Sequence, residues 1–170
     1  MARAPRFSFR VDPKTGAVRG HLSSAPSISS IGFYPASFGR DSYVRGKEAP
    51  EFLRVELVKE GEKPPGFVLA RKLDASDVNK HCRKGLEELS RSPIVYLVYA
   101  SAVHHPHRGQ GLGALLYATA LVLASLEGAP IVADDCFGGI TSELASQVWR
   151  SRALAEVAHV RGNVAVLKRQ

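Results

Sequence analysis

The chain has 170 residues, 45% of them apolar and 23% charged, values ordinary for one globular domain with a sizeable core. No apolar run reaches the length of about 18 residues that a membrane helix needs, and the basic start Met-Ala-Arg-Ala-Pro-Arg leads into no hydrophobic stretch of a secretory signal. The net charge of +7 is uneven, residues 1–50 carrying eight Lys or Arg against three Asp or Glu, the rest fifteen against thirteen.

One domain over residues 1–170 is expected, with 1–50 its basic, less regular part. Arg6 to Val11 alternates as a strand does, Asp12 to Gly16 has turn composition, and Ala17 to Leu22 reads as the returning strand of a hairpin. Ser23 to Ser30 has loop composition, and Phe33 to Val44 shows no period, consistent with irregular structure or a short strand. Phe52 to Val58 alternates, and Gly61 to Pro65 is a turn into a strand over Gly66 to Leu73. Asp77 to Ser90 has the spacing of an amphipathic helix, with Asp74 or Ser76 as its cap.

Ile94 to Val103 is rich in β-branched and aromatic residues and predicts the central strand. Arg108-Gly109-Gln110-Gly111-Leu112-Gly113 follows, and then a Pro-free, Leu- and Ala-rich helix from Leu112 to Glu127. Ile131 to Ala133 predicts a short buried strand, Ser142 to Val157 another helix, and Val164 to Leu167 the strand that closes the sheet. Cys82 and Cys136 are read as a pair of thiols in a reducing compartment rather than a disulfide framework, so a cytoplasmic protein is expected.

A strand that feeds a glycine turn and opens a helix is a place for an anion. Its free amides converge there, the helix dipole lies behind them, and glycine lets phosphate approach the backbone. A bulky side chain at Gly111 or Gly113 is therefore expected to stand where phosphate oxygens belong and to leave the fold mostly intact. A P-loop is excluded, because Ala114 and Leu115 stand where it needs Lys and Ser or Thr. A Rossmann reading from Gly109 ends on Ala114 rather than Gly, although Asp134 and Asp135 follow at a suitable distance.

Val103 followed by Arg108-Gly109-Gln110-Gly111-Leu112-Gly113 resembles the acyl-coenzyme A signature of the GNAT N-acetyltransferase superfamily: Arg or Gln, two residues, Gly, one residue, Gly or Ala, with a Val five positions ahead. The resemblance runs from about Ile94 to Val132. It implies an α/β (α+β) fold whose mostly antiparallel central sheet is flanked by helices, with a splayed cleft between the two central strands. It also implies an acyl-CoA-dependent N-acyltransferase that uses acetyl-CoA, or another acyl-CoA, to acylate a small-molecule or protein amine in a ternary complex. Pantetheine would then bond to backbone from Tyr99 through Ala102 to Val103. The pyrophosphate would meet the turn from Arg108 through Gly109, Gln110, Gly111, Leu112 and Gly113 to Ala114.

An amine that attacks a thioester must first lose its proton, and the groups expected near the mouth are Tyr99, Ser101, Asp134 and Asp135. Ser142 aligns with the family's Asn at the start of the last helix and is a candidate to bond the pantetheine. Trp149 aligns with the family's acidic Tyr, and an indole N–H cannot take that role, so Tyr117 or another group is left to serve the leaving thiol. No metal is expected, since His104, His105 and His107 lack a matching second group of ligands. The alternatives are an inactive GNAT-like module that binds CoA or a protein, and a basic nucleic-acid-binding protein, although no nucleic-acid motif accompanies the charge.

Overall fold

The structure is a computed structural model that describes residues 7–11, 18–22, 31–33, 42–49, 51–59, 66–104, 112–125 and 127–168. The fold is α+β. A three-stranded antiparallel sheet holds β1 (Phe7–Val11), β2 (Val18–Leu22) and β3 (Ile31–Phe33) in that order. The main sheet has seven strands: β4 (Ser42–Ala49), β5 (Phe52–Lys59), β6 (Gly66–Asp74), β7 (Ile94–Val103), β8 (Ile131–Ala133), β9 (Ala158–Arg161) and β10 (Val164–Leu167). Their order is β4-β5-β6-β7-β8-β10-β9, and only the β7–β8 pair is parallel. This agrees with the expected mixed, mostly antiparallel sheet flanked by helices.

A parallel pair needs a crossover, supplied here by the helix α2 (Leu112–Ser125). Every residue from Ala114 to Ala124 is buried. A helix apolar on all sides must be covered on all sides. One side lies on the sheet against Leu53, Val55, Val68, Ala70, Tyr96 and Val98. The other is covered by α3 (Glu143–Trp149) and α4 (Arg152–Val157). No helix among the described residues is long and apolar enough to cross a membrane.

The opposite face of the sheet carries α1 (Lys80–Leu89), whose Cys82 and Leu86 pack with Val78, Val95, Leu97, Val132 and Val164. Two expectations change here. The cap is Asn79 rather than Asp74 or Ser76: a helical turn at Ala75–Asp77 takes up those positions, and the Asn79 side chain accepts a hydrogen bond from the Cys82 N–H at 3.3 Å. The two cysteines are also joined as a disulfide with Cα atoms 5.4 Å apart, not held as separate thiols. The cause is local docking onto the helical turn Asp134–Phe137 that follows β8. Asn79 donates its N–H to the Cys136 carbonyl at 2.9 Å and its side-chain amide to the Asp135 carbonyl at 2.7 Å, which brings the start of α1 onto that turn. The bond removes the cysteine argument for a reducing compartment.

Near the C-terminus the single helix expected over Ser142 to Val157 is two. Ser151 interrupts it by accepting from the Leu154 N–H at 3.2 Å and donating to the Val148 carbonyl at 2.7 Å, so that it caps α4. The chain after α4 forms β9, a strand the sequence reading omitted, and β10 enters between β8 and β9 instead of closing the sheet at its edge. At the other end, β4 begins at Ser42 and takes in the last three residues of the stretch Phe33 to Val44, whose residues 34–41 lie outside the described ones. The turns expected at Asp12 to Gly16 and Gly61 to Pro65, and the loop Ser23 to Ser30, lie outside the described residues.

The disulfide closes a loop with a sequence separation of 54 residues. Replacing Cys82 and Cys136 together by Ala should lower the unfolding free energy by about 2–4 kcal/mol, through a gain in denatured-chain entropy. Urea denaturation measures the loss, and unchanged far-ultraviolet circular dichroism would show that the native fold persists.

Candidate functional site

β7 pairs with β6 along its whole length, from Ile94 opposite Asp74 to Val103 opposite Gly66. With β8 it shares only Tyr96, Leu97 and Val98, because β8 ends at Ala133 and the chain winds into a helical turn. Among the described residues, the stretch from Tyr99 to Ala102 therefore has a strand neighbour on its β6 side alone. A register shift falls at the same place: Ala70 faces Val98 and Leu69 faces Ala100, leaving Tyr99 as an extra, bulged residue.

The bulge reverses the inside-outside alternation. Tyr96 and Val98 point into the α2 core, Val95 and Leu97 into the α1 core, and beyond Tyr99 it is Ser101 and Val103 that face α2. Ser101 Oγ lies 2.9 Å from the Tyr117 hydroxyl. Tyr117 is buried on α2 while Ser101 is exposed, so the pair links the core to the surface of the half-open strand. Trp149 meets the Tyr117 ring edge-on, with centroids 5.6 Å apart and planes at 82°. Burial pushes the Tyr117 phenol above its ordinary pKa, against a smaller opposing effect of the Ser101 hydrogen bond, so the group is a neutral donor at pH 7.

None of the other catalytic candidates forms a hydrogen bond with this pair among the described residues. Tyr99 stands half-exposed on the bulge. Asp134 begins the helical turn after β8; its carboxylate rests against Gly139, where a Cβ would meet it at 2.5 Å, and makes no hydrogen bond among the described residues. Ser142 is the cap of α3 and accepts from the Ala145 N–H at 3.2 Å. The length of that helix, about 10 Å, separates it from Trp149. Ala102 and Val103 lie on the far half of β7 as expected. Arg108, Gly109, Gln110 and Gly111 lie outside the described residues, as do His105 and His107, while His104 is exposed just past β7.

Leu112, Gly113 and Ala114 form the first turn of α2, where amides have no partner within the helix. Gly113 has a second duty that the sequence did not reveal. A Cβ there would stand 2.9 Å from a Val148 methyl, so this glycine lets α2 approach α3. Substitution at Gly113 thus acts on packing as well as on any ligand, where the expectation was a fold left mostly intact.

Sequence reasoning also missed the carboxylate network around Asp135. Its Oδ2 accepts from Asn163 Nδ2 at 2.6 Å and lies 3.1 Å from His81 Nε2, while Oδ1 accepts from the Thr141 hydroxyl at 3.3 Å. Nothing in spacing links positions so far apart in the chain. Glu56, the one carboxylate buried among the described residues, was missed as well; it pairs with Arg54, two residues earlier on the same face of β5.

No family model matches this chain, and neither a curated protein nor a solved structure matches it.

Two outcomes follow from this geometry. Gly113→Val should destabilise the fold by about 1–3 kcal/mol through overpacking against Val148, and Gly113→Val with Val148→Ala should recover part of the loss in thermal denaturation. For Tyr117, the fold favours the protonated phenol. That contribution is complete below the ordinary tyrosine pKa of 10.0 and is lost as pH rises through the raised value. Unfolding free energies measured from pH 8 upward should fall less steeply in Tyr117→Phe than in the unaltered chain.

Proposed function

We propose that the chain is an acyl-CoA-dependent N-acyltransferase of the GNAT kind, acting on a primary amine. The observation that carries the reading is the early end of the β7–β8 pairing at Val98, with a bulge at Tyr99 and the start of α2 beside the end of β7, where a Cβ on Gly113 would lie 4.0 Å from a Val103 methyl. A strand edge next to a helix N-terminus suits a ligand with an amide-bearing arm and a diphosphate. The arm adds to the strand by backbone hydrogen bonds from Tyr99 to Val103, and the phosphates meet amides between Arg108 and Ala114. The cleft of the family, in this reading, lies between β7 and the end of β8.

In the reaction the amine nitrogen attacks the thioester carbonyl carbon, a tetrahedral oxyanion forms, and the carbon–sulfur bond breaks with the electron pair on sulfur. An alkyl ammonium has a pKa near ~10.4, so it must lose a proton first. Asp134, at the end of β8 with a carboxylate free of hydrogen bonds among the described residues, is the candidate acceptor, directly or through water. The Ser101 hydroxyl, backed by Tyr117, is the candidate donor to the departing sulfur. Such a donor replaces the tyrosine whose aligned position is held by Trp149, and Trp149 in turn fixes the Tyr117 ring. Because a thiolate is a good leaving group, with a conjugate acid near pKa ~8.5, the donor need only stabilise developing charge.

A binding-only module is the second reading, favoured by the buried Trp149 at the family's tyrosine position. Calorimetry with CoA and acetyl-CoA, followed by thiol release against a panel of amines, separates the two. Transfer predicts heat with CoA and turnover that falls about tenfold or more in Ser101→Ala and Tyr117→Phe, with little change in acetyl-CoA affinity. Heat without thiol release supports the binding module, and no heat with any CoA species overturns both.

A further inference from the structure

We propose that the Cys82–Cys136 pair, once reduced, is a zinc site completed by His81 and Asp135. The site stands apart from the acyl-transfer reading and does not depend on it. His81, Cys82 and Asp135 each offer one ligand atom, and these atoms lie within 4.8 Å of one another. Cys136 adds a second sulfur, bonded to that of Cys82. Two thiolates, an imidazole and a carboxylate make four donors of the kinds that zinc accepts in a tetrahedron.

The surroundings are built for holding ligands. Asp135 is positioned through both oxygens, Oδ2 by Asn163 and Oδ1 by Thr141, as hydrogen-bond donors behind a metal-binding carboxylate orient it. Asn79 ties the two ligand-bearing segments together by accepting from the Cys82 N–H and donating to the Asp135 carbonyl. The sulfurs sit inside, with Cys136 fully buried, while the His81 side chain is 69% exposed and gives an entry from solvent. An imidazole nitrogen and a carboxylate oxygen within 4.8 Å of the Cys82 sulfur are donors that a simple cross-link does not use. The His81–Asp135 contact of 3.1 Å is already close to the spacing of two ligands on one zinc ion.

The chemistry balances with a thiol reductant. Two equivalents of a small thiol reduce the Cys82–Cys136 bond, yielding two cysteine thiols and the oxidised reductant. Zinc then binds both sulfurs as thiolates with release of two protons, and it takes Nε2 of neutral His81 and one Asp135 oxygen. Oxidation reverses the sequence: the sulfurs rejoin, two electrons pass to the oxidant, and the metal is expelled. The segment around α1 is thus tied to the turn after β8 by either a covalent bond or an ion.

The test uses the untagged full chain with Co(II) as the spectroscopic probe and Zn(II) as competitor. After anaerobic reduction with a phosphine, Co(II) should bind at one per chain. It should show the thiolate-to-cobalt charge-transfer band and intense tetrahedral d–d bands, and an equivalent of Zn(II) should bleach both. The oxidised chain should show neither. His81→Ala and Asp135→Asn should each weaken binding by at least about tenfold, and Asn163→Ala by about ten- to a hundredfold. Because His81 is exposed, its variant should fold, and Zn(II) should raise the melting temperature of the reduced chain by more than that of reduced His81→Ala. Absence of the charge-transfer band in the reduced chain overturns the proposal. So does equal affinity in the His81 and Asp135 variants, which would leave the metal to the two sulfurs alone.

Discussion

The architecture turns on the strand β7 and its unequal partnerships. Its antiparallel pairing with β6 lasts the full length, and its parallel pairing with β8 covers three residues. The parallel pair exists only because α2 carries the chain back across the sheet, and α2 can do so only if it is buried on every side. The placement of α3 and α4 over α2 is a consequence of that demand, as is the glycine where α2 meets Val148. The open half of β7, the Ser101–Tyr117 pair and the start of α2 therefore all belong to a single crossover.

Much of this was legible in the sequence where the pattern was long or bounded. The alternation of Phe52 to Val58, the β-branched and aromatic composition of Ile94 to Val103 and the Pro-free, Leu/Ala-rich run after Leu112 each point to one kind of element, and the elements stand close to the expected bounds. What was lost lay in short-range competition. Ser151 breaks a helix that hydrophobic spacing alone would continue, because its hydroxyl offers the backbone another partner. The short strand Ala158–Arg161 holds only four residues, too few to show a period, and its pairing with β10 is decided by the turn at Gly162, which has φ of 58°. Asn79 outcompetes Asp74 and Ser76 as a cap for a reason invisible locally, its bonds to a turn that lies far along the chain.

The candidate site divides in the same way. The strand, the glycine turn and the helix were readable because they are contiguous. Which hydroxyl would meet Ser101 was not, since the bulge at Tyr99 shifts the parity of everything after it; without that shift Ser101 would face α1. Tertiary docking also decided the cysteines. Counting them predicts chemistry by compartment, whereas the backbone bonds of Asn79 fix where they are. Among the carboxylates, Asp134 and Asp135 are adjacent in sequence yet differ in surroundings, one resting against a glycine and the other gathering three side chains.

The indole beside Tyr117 has a practical bearing. The chain contains one tryptophan, and the fold sets it against the ring whose hydroxyl reaches the open half of β7. Its emission is consequently a built-in optical gauge of that one locality. A small displacement of either helix alters the indole's surroundings, so a molecule settling on the strand edge announces itself without any attached dye.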